Sequence, residues 1–519
     1  MSALLLTPFL TKAHTIDDAT FLLQAEHVLR DPLHPTAFEI VADGERVRLS
    51  WVLATGPVMA YLLVPAALWG GAEWLAHAVQ LGLLAAAILV TVSLGLRSGL
   101  DPRRARLAGL LLATTPAVLA LATTSMADVP AMAFGVLGIE RLYAWKAERR
   151  GHQGLGAAVA LALAGLSRSH LVLLLGVGAL ALWGDGAVTG PRRRLGRSGL
   201  LWAPLLGAAL LAWLINRATA DPAVTGFDVA TTTLTRFAWN APGRNLVAFA
   251  VHWVLVLPLA IPWFCLRWRA LVRGPWLWLG TLAAAVLLLT ARQARWTWIA
   301  PVAGVGAAVL ADVLHEAWRR RDHTQLVLGS WLLLALPVVG YVQLPSKYLV
   351  PSAPAVALLV ARVLGPGPAG RERLVMWGTL VAGATLGVLI IRADAHFADI
   401  GRQAASEVIA PLTRQGIRVW ADAGWGFMWY AIKAGAQPLA LGPPLPDCGD
   451  VVVSSAATPS ARAHEALDRH LLRVIRVAAP GGRVMSVEAG AGFYTNHHGY
   501  LPWAWGNDTL ETITVWRIC

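Results

Sequence analysis

The sequence predicts a polytopic α-helical membrane protein with about 12–13 spans and a small C-terminal α/β domain outside the membrane. Of its 519 residues, 56% are hydrophobic and only 14% are charged, and the apolar residues come in successive long runs. The 24 Trp residues suit the aromatic belts at membrane interfaces. A net charge of +13 could indicate nucleic-acid binding, but the basic residues form short clusters between the apolar runs, which is typical of membrane topology. We therefore expect no nucleic-acid partner.

The chain begins with an apolar stretch, residues 1–13, that is shorter than the roughly 20 residues a span needs. We expect this first span to be truncated at its start, and the absence of a basic start and a small-residue cleavage site predicts no cleavable signal peptide. A polar first outer loop follows at 14–50. It contains the adjacent acids Asp17 and Asp18 at the start of a short amphipathic segment that stops before Pro32.

Apolar runs then continue through most of the chain. Residues 51–70 are apolar but are interrupted by Pro57 and Pro65, which favours an interfacial or re-entrant helix. The predicted spans lie at roughly 72–96, 105–123, 129–145, 154–167, 169–184, 199–216, 245–266, 274–290, 296–314, 324–342, 347–364 and 374–392. The run from 154 to 184 could also be one long broken segment, which would change the topology after it.

Basic residues are concentrated in six short connections between these spans, which together carry 21 Lys and Arg residues. The six connections are 97–106, 141–152, 191–198, 267–273, 315–323 and 362–373. The positive-inside rule places all six in the cytoplasm, so the alternate connections and the chain after residue 392 face outward. We therefore divide the chain into a transmembrane domain, 1–392, and an outer domain, 393–519, of a protein in the bacterial inner membrane. The outer face is then periplasmic or extracellular.

The outer domain differs from the rest in having short β-type runs between helical stretches. The predicted strands lie at 418–422, 450–455, 471–479, 483–490 and 511–518, and the predicted helices at 396–415 and 459–470. This order predicts a small α/β domain. Cys448 and Cys519 both fall in it, and an oxidising environment would permit a bridge between them.

The predicted topology collects polar residues on the outer face, and the pair Asp17–Asp18 is the most distinctive. A carboxylate beside another tends to have a raised pKa, which suits a general base. The pair could also bind a divalent metal, or it could simply cap the following helix at its positively polarised N-terminus. Asp128, at the start of the span 129–145, could likewise be an N-cap or could orient a substrate hydroxyl.

A second set of outer-facing residues could contact the phosphate of an anionic donor. The set consists of Arg168, His170, Arg292, Arg295, Lys347 and Tyr348. The alternative for each is an interfacial anchor, whose long side chain places its polar end at the membrane surface. Arg292 and Arg295 are exceptions to the inward location of basic residues, and this exception favours an anionic ligand.

Four segments stand out in order along the chain, namely DDATFLLQAEHVLRDPLHP, GPVMAYLLVPAALWG, SMADVPAMAFGVLG and SKYLVPSAPAVALL. They resemble the landmarks of GT-C glycosyltransferases, and in particular of the protein O-mannosyltransferase and lipid A aminoarabinose transferase group. The resemblance covers residues from 14 to about 392. It implies that Asp17 is the first-loop catalytic acid and that Asp18 stands where the family commonly has Glu. It further implies that Asp128 is the second acidic position and that Lys347 and Tyr348 are the basic–aromatic pair.

The residues themselves suit sugar transfer from a polyprenyl-phosphate donor to an acceptor hydroxyl. The hydroxyl must lose a proton to a carboxylate, for which Asp17, Asp18 and Asp128 are candidates, whereas the leaving phosphate is already a stable anion and needs cations rather than an acid. A divalent metal is allowed but not required. The acceptor is left open, and the sugar is a hexose or a pentose.

Two other classes of function remain as alternatives. A transporter or lipid flippase would use outer-facing charges to gate a substrate path, and a membrane scaffold would merely display the outer domain. Transporters tend to place charges near mid-span and to contain paired broken helices in two repeats. Since the polar residues cluster at one face and the sequence shows no repeat, we favour the enzyme, with membrane lipids and the lipid-linked donor as its partners.

Overall fold

The computed structural model describes residues 2–519 except 43, 54, 184–195, 197, 219–240, 365–369, 459–461 and 479. The predicted connections 191–198 and 362–373 and the long outer loop 217–244 therefore lie partly outside the described residues. The longer helices are Asp18–Val28, Glu73–Arg97, Pro102–Ala113, Asp128–Glu148, Gly151–Ser167, Leu174–Trp183, Ala203–Ala218, Pro242–Leu255, Ala260–Arg273, Pro275–Thr290, Ala300–Arg320, His323–Leu332, Ala353–Val363 and Gly370–Ala404.

Each predicted span coincides with one of these helices or with a broken pair of shorter ones. By length and composition, four helical segments in the described ranges can cross a membrane, namely Glu73–Arg97, Ala294–Arg320, His323–Gly340 and Gly370–Arg414. The helices Pro242–Leu255 and Ala260–Arg273 meet at an angle of 94°, and they make a fifth segment if the bent pair is a single span. The predicted class, a polytopic helical membrane protein with a C-terminal sheet region, is confirmed. The count of about 12–13 spans stays a prediction.

The first outer loop folds into regular structure. Its helix, Asp18–Val28, buries Phe21 and Leu22 against the short helices Val58–Leu62 and Val64–Leu68. As predicted, the stretch 51–70 forms no continuous span, because Pro57 and Pro65 interrupt the backbone hydrogen bonding and each stands at the start of a new short helix.

The loop continues beyond that helix as a hairpin of the strands Glu39–Ala42 and Glu45–Arg48. Leu49–Val52 forms one further turn of helix after the hairpin. The N-terminus of the helix Asp18–Val28, and Asp17 with it, is thus held at the end of the helical bundle by packing and not left in a mobile coil.

The outer domain is built around a five-stranded mixed sheet. Its strands lie in the order Gln437–Pro438, Val419–Asp422, Val451–Ser455, Thr509–Ile518 and Arg469–Ala478. The first three strands are parallel, and the last two join them in antiparallel fashion. Val419–Asp422 and Val451–Ser455 are buried along their whole length, which explains why they are short and nearly free of charge. The loops that follow the carboxyl ends of these two strands line a cavity.

Two elements of the outer domain differ from the prediction. The helix predicted at 459–470 is wrong, because within its described part only the 3₁₀ turn Ala463–Ala466 forms before the strand Arg469–Ala478 begins. Arg469, Arg473 and Arg476 are spaced by four and three residues, which is a helical period, but the β-branched residues Val474, Ile475 and Val477 favour a strand. The strand predicted at 483–490 also breaks up, since only Met485–Ser486 is extended beyond Arg483. A helix that was not predicted, Trp425–Lys433, follows the first parallel strand.

The two predicted domains are connected by a continuous helix. Gly370–Ala404 runs straight through the predicted boundary at 392/393 and continues to Arg414. The later segment 481–506 also packs onto the helices, where the Tyr494 hydroxyl donates to Asp394 of Gly370–Ala404 (2.9 Å) and the Asn496 side chain donates to Asn245 of Pro242–Leu255 (2.8 Å). This segment is therefore attached to the helices at two points, while the division into 1–392 and 393–519 stays a prediction.

Candidate active site

A cavity of about 800 Å³ lies between the helices and the outer sheet. Its walls come from both parts of the chain, and a cavity of this size is typical of small-molecule binding. The lining residues include Ile16, Asp17, Thr20, Phe21, Leu53, Arg168, His170, Leu173, Val338, Tyr341, Lys347, Tyr348, Trp425, Ser455, Thr458, Arg462, Tyr494, His497 and His498. Four of the predicted site residues besides Asp17 are among them, and Asp18, Asp128, Arg292 and Arg295 are not.

Asp17 is the one acidic side chain among the described lining residues. It directly precedes the helix Asp18–Val28 but makes no capping hydrogen bond, so its carboxylate is directed into the cavity, where it is 38% exposed. The Lys347 ammonium, which is almost fully buried, donates to this carboxylate. An adjacent ammonium favours the ionised form of a carboxylate. The predicted catalytic acid, Asp17, and the predicted phosphate-binding residue, Lys347, are thus in direct contact.

Asp18 lies on the other side of the same turn and is fully buried. One of its oxygens accepts from the Thr15 backbone N–H (2.9 Å) and the other from the Ser125 backbone N–H (2.6 Å). Burial raises the pKa of Asp18 to about 7, although nearby Lys12 and the two N–H groups oppose the rise. Its carboxylate therefore ties the first loop to the start of the helix Asp128–Glu148 and does not reach the cavity.

The backbone at the cavity is strained at three places. Ile16 has a φ of 44°, Trp425 of 53° and Arg462 of 52°, and all three residues line the cavity. A positive φ is unfavourable for residues other than glycine, and especially for a β-branched residue such as Ile16. Strain of this kind persists only where the surrounding structure enforces it, and it concentrates at functional sites.

Asp128 and Arg168 form a buried bidentate pair. Arg168 Nε donates to Oδ1 (3.0 Å) and Nη2 donates to Oδ2 (2.6 Å), and both side chains are nearly inaccessible to solvent. Asp128 is the first residue of its helix and Ala127 stands at the N-cap position, so Asp128 is not the N-cap residue. Asp128 instead fixes the guanidinium that lines the cavity.

Tyr348 lies between two cavity residues that the sequence analysis named. Its ring is 5.4 Å from the Arg168 guanidinium carbon and 5.6 Å from the His170 ring. His170 Nε2 is buried and has no hydrogen-bond partner within the described residues. This part of the cavity therefore brings together the guanidinium of Arg168, the Tyr348 ring and the His170 ring.

Comparison with known proteins adds a likeness of fold. No protein-family model matches the sequence, and no curated protein matches it. Among solved structures, ArnT from Cupriavidus metallidurans in the apo state is 13% identical, with 99% of this chain and 96% of that chain covered and a TM-score of 0.45. ArnT bound to undecaprenyl phosphate is 14% identical over 91% and 94% of the two chains, with a TM-score of 0.45.

A third structure is the archaeal oligosaccharyltransferase AglB from Archaeoglobus fulgidus in complex with an inhibitory peptide and a dolichol-phosphate. It is 12% identical, with 96% of this chain and 71% of that chain covered and a TM-score of 0.47. ArnT and AglB are both members of the GT-C superfamily. At these identities, and with TM-scores below 0.5, the likeness carries no conclusion about the function of this chain.

Arg292 and Arg295 are not among the described residues that line the cavity. Both are exposed where the helix Pro275–Thr290 ends, and Arg295 stacks on the ring of Trp296 (5.5 Å). Trp296 in turn packs against Tyr500 of the returning segment. Exposure and the contact with an aromatic ring fit the alternative interpretation of this pair, an interfacial anchor.

Several cavity residues were missed by the sequence analysis. Arg462, His497 and His498 all come from the outer domain, and no motif marks them. Burial lowers the pKa of both histidines, and Arg244, which contacts His497 at 3.1 Å, lowers the pKa of His497 further. The only available signal was the adjacent pair His497–His498 in an otherwise apolar and glycine-rich stretch.

Proposed function

We propose that the protein is a membrane glycosyltransferase that moves a sugar from a polyprenyl-phosphate donor to an acceptor hydroxyl on the outer face of the bacterial inner membrane. The observation that carries this proposal is the composition of the cavity, in which one carboxylate, Asp17, faces several cations at the junction of the helices and the outer sheet. A base and an anion-binding surface in one cavity are the groups that the reaction requires.

The cations supply the binding site for the donor phosphate. Lys347 and Arg168 come from the transmembrane part, and Arg462 comes from the outer domain. The Asp128 carboxylate fixes the Arg168 guanidinium in a planar pair, so little side-chain entropy is lost when a phosphate binds. His170, His497 and His498 add ring nitrogens to the same surface.

A lipid tail has a path that leads away from these cations. A smaller cavity of about 260 Å³ shares Leu173 with the main cavity. It runs between the helices Leu174–Trp183 and His323–Leu332 and is lined almost entirely by apolar residues such as Val177, Leu180 and Leu334. Such a groove suits a polyprenyl chain whose phosphate lies in the main cavity. Undecaprenyl and dolichol phosphate, which are named with the ArnT and AglB structures, belong to this class of lipid.

In the proposed reaction the acceptor oxygen attacks the anomeric carbon while its proton passes to the Asp17 carboxylate. The bond between the anomeric carbon and the phosphate oxygen breaks, and its electron pair remains on the phosphate, whose charge is stabilised by Lys347 and Arg168. No general acid is needed because the polyprenyl phosphate is a stable anion. Lys347 pairs with Asp17 before the donor binds and can turn to the phosphate when it arrives, which leaves the carboxylate available to the acceptor.

The proposal is tested by turnover of the purified chain in nanodiscs with synthetic polyprenyl-phosphate sugars. Mass spectrometry measures the released polyprenyl phosphate, with native membrane extract as the source of acceptor. Asp17→Asn should lower the rate by about 10²- to 10⁴-fold, as expected for loss of a general base. If Asp17→Asn keeps more than about a tenth of wild-type turnover, Asp17 is not the base.

Asp31→Asn is the matched control. Asp31 lies in the same outer loop, is paired with His34 and does not line the cavity, so its substitution should leave turnover unchanged. If wild-type protein releases no polyprenyl phosphate from any of the donors while it binds them, the transport or scaffold alternative gains support.

A further inference from the structure

Behind the cavity, three buried side chains converge on one point. His14, Asp18 and His77 each offer one ligand atom, and these atoms all lie within 4.8 Å of one another. None of the three lines the cavity, and each is at most 1% exposed. They come from the N-terminal segment, the first-loop helix and the helix Glu73–Arg97, so the cluster joins three separate elements.

The hydrogen bonds of the two histidines determine which ring nitrogens carry a proton. His14 Nε2 donates to the Gly71 carbonyl (2.9 Å), and His77 Nδ1 donates to the Leu10 carbonyl (2.8 Å), since a carbonyl oxygen can only accept. In the neutral rings, His14 Nδ1 and His77 Nε2 therefore carry lone pairs. Both of these nitrogens are buried and have no hydrogen-bond partner within the described residues.

The third member, Asp18, is an acceptor as well. Its two oxygens already receive backbone N–H groups from Thr15 and Ser125, which fix the orientation of the carboxylate and leave further lone pairs on it. Three acceptors thus lie together in the interior without a donor among them. Unpartnered buried polar atoms are costly, and a bound cation would satisfy all three at once.

We propose that His14, Asp18 and His77 form a binding site for one divalent transition metal ion, with zinc as the best match. Two imidazole nitrogens and one carboxylate oxygen are typical ligands of Zn²⁺, whereas Ca²⁺ and Mg²⁺ prefer oxygen ligands throughout. The backbone carbonyls that hold the opposite ring nitrogens are the outer partners that metal-binding histidines usually have.

The charges around the cluster are compatible with a dication. Lys12 is the nearby cation, but its ammonium is paired with the buried Asp394 carboxylate (2.5 Å). The Asp18 carboxylate is then one uncompensated negative charge in the buried group, which favours a bound cation. Because Asp18 directly follows Asp17, the metal would fix the turn that presents Asp17 to the cavity. Its role is structural, and the inference does not depend on the glycosyl-transfer proposal.

The test measures metal content and not activity. The full chain is purified in detergent without chelator or affinity tag, and metals are quantified by inductively coupled plasma mass spectrometry. We expect zinc in a one-to-one ratio with the chain, and a lower midpoint of thermal unfolding after treatment with a strong chelator. His77→Gln and His14→Gln should each weaken zinc binding by about tenfold or more.

His252→Gln is the matched control. His252 is equally buried and both of its ring nitrogens lack a partner, but it lies in the helix Pro242–Leu255 outside the cluster, so metal content should stay at the wild-type level. Cobalt loading of the wild-type chain, with X-ray absorption to identify nitrogen and oxygen ligands, provides a measurement that needs no variant. Sub-stoichiometric metal in the wild type, together with no cobalt or zinc uptake after chelation, would overturn the proposal in favour of a proton shared between Asp18 and a histidine.

Discussion

Asp17 and Asp18 have the same side chain and adjacent positions, yet they lie in opposite environments. Asp17 is partly exposed in a large cavity and pairs with a lysine, whereas Asp18 is fully buried and accepts two backbone N–H groups. Successive side chains at the start of a helix point about 100° apart, so a helix that begins at the edge of a cavity directs one to the cavity and the next to the core.

The difference shows that an acidic pair in sequence is not necessarily a functional pair. The sequence analysis attributed a raised pKa to repulsion between the two carboxylates. In the structure burial is the main cause of the raised pKa of Asp18, and the more distant Asp394 is the carboxylate that contributes. Environment separates the two residues into a candidate base and an anchor of the loop.

The largest expected effect is a separation of activity from stability at this pair. Asp17→Asn should lower turnover by about 10²- to 10⁴-fold and leave the midpoint of thermal unfolding nearly unchanged. Asp18→Asn places an amide N–H₂ against a backbone N–H donor, so it should lower the free energy of unfolding by about 1–3 kcal/mol and turnover by less than about tenfold. Similar activity losses in both variants would contradict the division of roles.

Next in size is the loss of the buried pair behind the phosphate site. Arg168→Met leaves the Asp128 carboxylate buried without its partner, which should lower the free energy of unfolding by about 3–5 kcal/mol. Adding Asp128→Leu should recover much of that stability but not donor binding. Chemical denaturation and donor binding, measured on the single and double variants, check the two expectations separately. A double variant that regains donor affinity would show that Arg168 does not contact the phosphate.

Much of this fold could be predicted from the sequence because its signals are local. The positions of the spans follow from hydropathy, and the broken stretch at 51–70 follows from two prolines. The outer location of Asp17 and Lys347 follows from the predicted topology, although they are 330 residues apart. Their direct contact could not be predicted, because no sequence pattern specifies which outer loops meet.

The less local features were missed for the same reason. Arg462, His497 and His498 reach the cavity only because the outer sheet folds back onto the helices. The cluster of His14 and His77 with Asp18 depends on the packing of the N-terminal segment beside the first long helix, and an isolated histidine in an apolar sequence gives no indication of its neighbours. Asp128 and Arg168 were predicted as separate site residues, and their pairing was not foreseen.

A smaller effect is expected from Lys347, which contacts Asp17 from the last predicted spans. Lys347→Ala should weaken binding of a polyprenyl-phosphate sugar by about tenfold, because a charge-assisted contact to phosphate is lost. Lys347→Arg should retain most of the affinity. Fluorescence or calorimetric titration of the donor into nanodiscs distinguishes the variants. Equal and negligible changes in both would make Lys347 an interfacial anchor.

The histidines of the outer wall should make donor binding depend on pH. Their pKa values are lowered from the usual 6.5 in the empty cavity, and a bound phosphate anion favours their protonated forms. Binding should therefore take up protons, so donor affinity should rise as the pH falls toward and below 6.5 and weaken at higher pH. We expect the donor affinity of the wild type to change by about threefold per pH unit. The change should be smaller in the double variant that carries His497→Gln and His498→Gln. An affinity independent of pH would place the phosphate elsewhere.

The smallest effect is expected at Arg292 and Arg295, which test the boundary of the site. Both were predicted to bind the donor phosphate, and both are exposed and are not among the described residues that line the cavity. Arg292→Gln and Arg295→Gln should keep donor affinity and turnover within about twofold of the wild type, because exposed charges outside a site are screened by salt. The measurement is the same donor titration, run beside Lys347→Ala at low and at physiological ionic strength. A loss as large as that of Lys347→Ala would mean that the end of the helix Pro275–Thr290 moves to the cavity when donor binds. The phosphate site would then include the region that now packs against Trp296 and Tyr500. The boundary of the site would extend beyond the cavity to that region.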